Sequence, residues 1–172
     1  MSDIALTSTQ VIAKNLTIDL NGHNIAATDA RALWIKNGEV TITGEGRISA
    51  NGAGLDADSS VIRVGDGSTN GAAAKLTIDK DVTVSTDKCY GITAFGVNNT
   101  DGNLETSDIE VVIKGTVRVT SERNAIAGNG NSRNSATNIT IDKGASVIAA
   151  NDYAIYQPRT STLTVNGTVS GK

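Results

Sequence analysis

Few side chains in this 172-residue sequence are suited to acid–base or nucleophilic chemistry. His23 is the only histidine and Cys89 the only cysteine. A Ser/His/Asp or Cys/His device would need His23, with Cys89 or a serine as nucleophile. His23 lies in Asn21-Gly22-His23-Asn24. Asn-Gly is a strong turn signal, so the plainer expectation is a surface turn between two strands. Among carboxylates, Asp19, Asp79 and Asp142 each follow a Thr-Ile pair, and Asp101, Glu105 and Asp108 lie together. Paired carboxylates roughly 9 to 10 Å apart would suit an inverting glycosidase. Asp66-Gly67-Ser68-Thr69-Asn70-Gly71 matches the first half of a calcium loop, with oxygen ligands at alternate positions and Gly at the sixth. Its twelfth position is Thr77 in place of a bidentate Glu, so a surface loop is the simpler expectation.

The elements that would position these residues come from a repeat. An apolar–Thr–apolar–polar segment recurs at Leu16-Thr17-Ile18-Asp19, Val40-Thr41-Ile42-Thr43, Leu76-Thr77-Ile78-Asp79, Ile139-Thr140-Ile141-Asp142 and Leu163-Thr164-Val165-Asn166. Val111-Val112-Ile113-Lys114 is a sixth copy without the threonine. The central residues (18, 42, 78, 113, 141, 165) are spaced by 24, 36, 35, 28 and 24. Alternation with period two predicts strands, with Leu16 and Ile18 facing in and Thr17 and Asp19 facing out. A second strand follows each copy, around Ile25, Ile48, Val82 with Val84, Val117 with Val119, Val147 or Ile148, and Val169. A third precedes the last five copies, at Ala32–Ile35, Val61–Val64, Gly91–Ala94, Ala125–Ala127 and Ala154–Tyr156.

Three short strands per period predict an all-β fold, a single-stranded parallel β-helix (solenoid) of about six coils. Residues 1-172 form one domain in this reading, with 1-10 as lead-in or cap. Stacked coils bury a common aliphatic column and bond only to their neighbours. A sandwich or jelly roll of about 15 short strands is the competing architecture. In the helix, Asp19 and Asp79 fall two coils apart with Thr43 between them, given coils roughly 4.8 Å apart. Both sit at strand ends, where Asp usually bonds its own turn. The outward threonines would form a ladder that could organise water, but Asp19, Asp79, Lys114 and Asp142 would interrupt a flat plane. The segments Gly65 to Lys75, Asn98 to Asp108 and Asn129 to Thr137 are long and rich in Gly, Asn and Ser, whereas Lys36-Asn37-Gly38-Glu39 is short. Insertions in a solenoid gather on one face, often the binding face.

Composition narrows the function classes. Aromatic residues make up 3%, with 18 glycines and one proline, so the core must be aliphatic. The net charge of −3 and pI near 5.1 argue against a general nucleic-acid binder. One cysteine excludes an intrachain disulfide framework and a cysteine-based zinc site. No stretch has the roughly 18 apolar residues of a membrane-spanning helix, and Met1-Ser2-Asp3-Ile4 is read as carrying no secretory leader. Asn-x-Thr triplets at Asn15, Asn98, Asn138 and Asn166 follow from turn-plus-Thr composition.

Leu16 to Ile25 is similar to the opening coil of pectate-lyase-like right-handed β-helix proteins. Ala125-Ile126-Ala127-Gly128-Asn129-Gly130 followed by Asn138-Ile139-Thr140-Ile141 resembles repeats of phage head-fibre and virion-surface proteins. Ala154-Ile155-Tyr156-Gln157-Pro158 with Leu163 to Gly171 resembles the next repeat of that group. The resemblance covers roughly residues 10 to 171. The superfamily's enzymes use Asp clusters with His-Gly and Arg-x-Lys signatures, and this sequence has neither step. The resemblance therefore implies the non-enzymatic branch, a rigid module displayed on a virion as a head fibre or capsid decoration. On this reading no residue is expected to be catalytic, cofactor-binding or metal-ligating, and no cofactor is expected. The partners implied are capsid or other virion proteins, cell-surface glycans and further copies of the chain, without nucleic acid or membrane insertion. The location implied is the virion surface, or else the cell surface. The rivals are a polysaccharide-active lyase or hydrolase using the aspartates, and a bacterial surface adhesin repeat. The final strand runs close to Lys172 with no polar cap after it, so its edge is expected to meet a partner, another copy or more chain.

Overall fold

The computed structural model describes residues 2–52, 59–67, 72–96, 109–128, 137–158 and 161–172. Among them there is no helix, and the strands all pair in parallel. In chain order they are β1 (Ile4–Leu6), β2 (Gln10–Ala13), β3 (Leu16–Asp19), β4 (Ile25–Ala27), β5 (Leu33–Thr43) and β6 (Gly46–Ala50). Next come β7 (Ser60–Val64), β8 (Ala74–Ile78), β9 (Val82–Thr86), β10 (Tyr90–Ala94), β11 (Ile109–Ile113) and β12 (Thr116–Val119). The last are β13 (Ile126–Gly128), β14 (Thr137–Ile141), β15 (Ser146–Ala149), β16 (Ile155–Tyr156), β17 (Leu163–Val165) and β18 (Thr168–Ser170).

These strands form two curled sheets. Sheet A has the order β1-β4-β6-β9-β12-β15-β18. The other has 11 strands in two limbs joined through β5. Limb B holds β2, the first part of β5, β7, β10, β13 and β16, and limb C holds β3, the rest of β5, β8, β11, β14 and β17. After β1 the chain passes B, then C, then A, six times, which is a solenoid-like path.

Aliphatic columns run through the interior. Ile18, Ile42, Ile78, Ile113, Ile141 and Val165 form one along limb C. Leu33, Ile62, Ile92, Ile126 and Ile155 form another along B. Ile4, Ile25, Ile48, Val84, Val117, Val147 and Val169 form the third along A. In the middle passes these side chains are fully buried, each stabilising by roughly 1.5–3 kcal/mol relative to exposure.

The structure adds four details to the sequence reading. Gln10–Ala13 is a B strand that the sequence reading missed, because Val11 points outward, 54% exposed, beside the buried Ile12 and so hides the alternation. The lead-in contributes β1, paired with β4. Lys36-Asn37-Gly38-Glu39 is no loop, since β5 runs straight through it from limb B to limb C. Leu16 occupies the expected inward column but remains 36% exposed, having no coil beneath it.

Candidate functional site

The C-to-A corner is short in every pass, and it carries the aspartates. Asp19 stands opposite Thr43. Asp79, Lys114, Asp142 and Asn166 follow in the same row, each amide bonded to the carbonyl one residue back in the coil below. The placement of Asp19 and Asp79 two coils apart is therefore as expected. Their oxygens serve their own turns: Asp19 Oδ1 accepts from the Asn21 amide at 3.1 Å and Asp79 Oδ1 from the Lys80 amide at 3.0 Å. Lys114 stands between Asp79 and Asp142 in the row. Asn21 (φ 47) and Gly22 (φ 81) make the turn expected before His23.

His23 Nδ1 lies 4.0 Å from Asp3 Oδ1. Asp3 is held below the ordinary carboxylate range, first by the Asn24 side-chain and backbone hydrogen bonds and then by the His23 and Arg47 charges. Cys89 is on a different corner, between β9 and β10, and 1% exposed. Its Sγ is 3.3 Å from Thr86 Oγ1 and 3.7 Å from the Ala50 carbonyl. Burial pushes its thiol pKa up, which opposes thiolate chemistry. The fold does not bring His23 and Cys89 together: one lies on the first pass and the other on the third.

Of the half calcium motif, Asp66 and Gly67 are described, while Ser68 to Gly71 lie outside the described residues. So do Asn98 to Asp108, with Asp101, Glu105 and Asp108, and Asn129 to Ala136. Asp66 Oδ2 is 4.0 Å from Lys36 Nζ, and its carbonyl accepts from Arg63 Nη2 at 2.7 Å. Among the described residues no three His, Cys, Asp or Glu side chains are grouped to hold a metal ion.

The roots of the long segments leaving limb B are pinned by a cation–aromatic stack. Arg63 lies 4.9 Å from the Trp34 ring centroid and 4.6 Å from that of Phe95, with Lys36 Nζ 4.4 Å from Trp34. Trp34 Nε1 donates to the Gly65 carbonyl at 3.0 Å. Gly65 needs its positive φ of 86, and a Cβ there would strike the Phe95 carbonyl. The threonine ladder is in register on limb C, Thr17-Thr41-Thr77-Val112-Thr140-Thr164. Beside it, two residues before the ladder, Lys75 Nζ and Glu110 Oε2 pair at 3.0 Å, an ion pair outside the row of Asp19, Asp79, Lys114 and Asp142.

A different surface went unread in the sequence. On the outer face of sheet A, Ala26, Ser49 and Ser85 form a row of small side chains across β4, β6 and β9, and Arg118 of β12 continues it. Arg47 flanks the row opposite Thr83. Thr28, Asn51, Asp87 and Thr120, on the turns that follow, form a wall. The trough encloses about 490 Å³, within the range of ligand clefts. The signal for it was the small residue after each inward aliphatic, in Ile25-Ala26, Ile48-Ser49 and Val84-Ser85.

Searches of this chain against family models, curated proteins and solved structures find no match.

Proposed function

We propose that the chain is a non-catalytic, surface-displayed module built as a right-handed single-stranded parallel β-helix and used for adhesion to glycan surfaces. The trough on sheet A carries this reading. Three successive strands of one sheet, β6, β9 and β12, contribute hydroxyls and guanidinium groups to a continuous strip, a form suited to a linear chain with many hydroxyl groups. Right-handed winding is the sense taken by about 98% of parallel crossover connections. The carrier proposed is a virion, as head fibre or capsid decoration, and it rests on the resemblance of the last two repeats to phage surface proteins. The aspartate row favours adhesion over cleavage, because Asp19 and Asp79 are hydrogen-bonded to their own turns.

A glycan-binding screen on the purified protein, read together with reducing-end release, tests the proposal. Binding without release is the expected result. Release of product, abolished by Asp19→Asn or Asp79→Asn, would overturn it in favour of a polysaccharide-active enzyme.

A further inference from the structure

We infer that the sheet A trough takes an anionic saccharide segment, one bearing carboxylate or sulfate groups, lying along the solenoid axis with Arg47 and Arg118 as its charge contacts. This rests on the adhesive reading and specifies its ligand. Several of the other cations are already engaged, and among the exposed ones that are not, only Arg47 and Arg118 line the trough. Arg63 is stacked on Trp34 and Phe95, while Lys36, Lys75, Lys80 and Lys88 each have a carboxylate within 4.0 Å. Among the described residues neither Arg47 nor Arg118 has one. Asp3 is close enough to feel the Arg47 charge, and its oxygens accept from Asn24. Asp87, on the wall, is 4.0 Å from Lys88 Nζ.

The two arginines are two strands apart and offset by two residues along the strand, because Arg47 pairs with Thr83 and Arg118 with Ser85. Strand spacing and rise place their Cα atoms roughly 12 Å apart, which spans about two sugar units. Between them the floor is Ser49 and Ser85, short enough to admit a ring and able to bond its hydroxyls. The guanidinium fork matches carboxylate and sulfate oxygens bidentately. The whole molecule carries −3, so attraction of an anionic chain is a local property of this strip and is weakened by salt.

The test is titration calorimetry with three octasaccharides: a uronate, a sulfated and a neutral dextran series. The full chain is compared with Arg47→Gln/Arg118→Gln, with Arg118→Lys, and with Arg123→Gln as a control outside the trough. We expect the uronate or the sulfated chain, or both, to bind at least tenfold tighter than dextran, and the stronger of the two identifies the charge source. The double variant should lose at least tenfold, Arg118→Lys an intermediate amount, and the control less than twofold, all with wild-type circular dichroism. Equal binding of dextran and the anionic chains, or anionic binding untouched by the double variant, overturns this inference and leaves the adhesive reading standing. Absence of binding by every saccharide, here and in the broader screen, overturns both.

Discussion

The outer faces of limb B and sheet A hold the same residue type in opposite conditions. Arg63 on limb B serves structure, lying against Trp34 and Phe95 and donating to the Asp66 carbonyl. Arg47 and Arg118 on sheet A stand over small side chains, and among the described residues no carboxylate pairs with them. The difference follows from what leaves each strand. Limb B feeds the segments at 65–73 and 95–108, and the chain must be held where it departs. Sheet A hands on through three residues after β9, six after β12 and nine after β6, so short turns bound the trough on its β9 and β12 side. A guanidinium is thus a clamp or a contact according to its neighbours, not its identity.

The two faces share one core, so the largest effect should strike both. Ile78→Ala empties a fully buried site in the limb C column and is expected to cost about 2–5 kcal/mol in a urea melt. A loss below about 1 kcal/mol would mean the column is not continuous. Trp34→Ala comes next, removing two cation contacts and the indole bond to Gly65. It should cost about 2 kcal/mol and leave anionic saccharide binding unchanged. Gly65→Ala forces a side chain into a positive φ against Phe95 and should destabilise by about 1–2 kcal/mol; an unchanged melting curve would deny that this root is constrained. On the opposite face, Arg47→Gln/Arg118→Gln should shift stability by no more than about 0.5 kcal/mol. A larger loss would show these arginines to be clamps like Arg63.

The smallest effect concerns β1, at the edge of sheet A. Asp3 has its pKa lowered on folding, chiefly by Asn24. Its contribution is therefore present above the ordinary Asp pKa and fades as pH falls through the lower folded value. Hydrogen exchange at the Ile4 amide, which donates to the Asn24 carbonyl, should quicken slightly across that acidic window and hardly change in Asp3→Asn.

Much of the architecture was legible because local and global signals agree. Leu76-Thr77-Ile78 reads as a strand by alternation, and its inward pair is fully buried. The Asn21-Gly22 turn, the aspartate row and the interruption at Val112 were equally visible. Gln10-Val11-Ile12 was not, because an end coil leaves Val11 outward in water, where burial no longer sorts the faces. The segment Lys36 to Glu39 was read as a short connection between two strands, yet pairing with β8 keeps its end in the strand. The trough was illegible for a different reason: its residues are ordinary singly and come to line one cavity only when four coils are set side by side.

That parallel strands of small aliphatics would stack follows from the residues alone, since period-two alternation of Ile, Val and Leu with Thr and Asp leaves few other ways to bury the apolar side. That Arg118 adjoins Ser85, a residue 33 positions earlier, follows only from the stacking itself. Coil lengths vary between 24 and 36 residues, so sequence distance does not fix which outer side chains meet. Backbone pairing does, because each strand takes the register that keeps its apolar column continuous with the coil below.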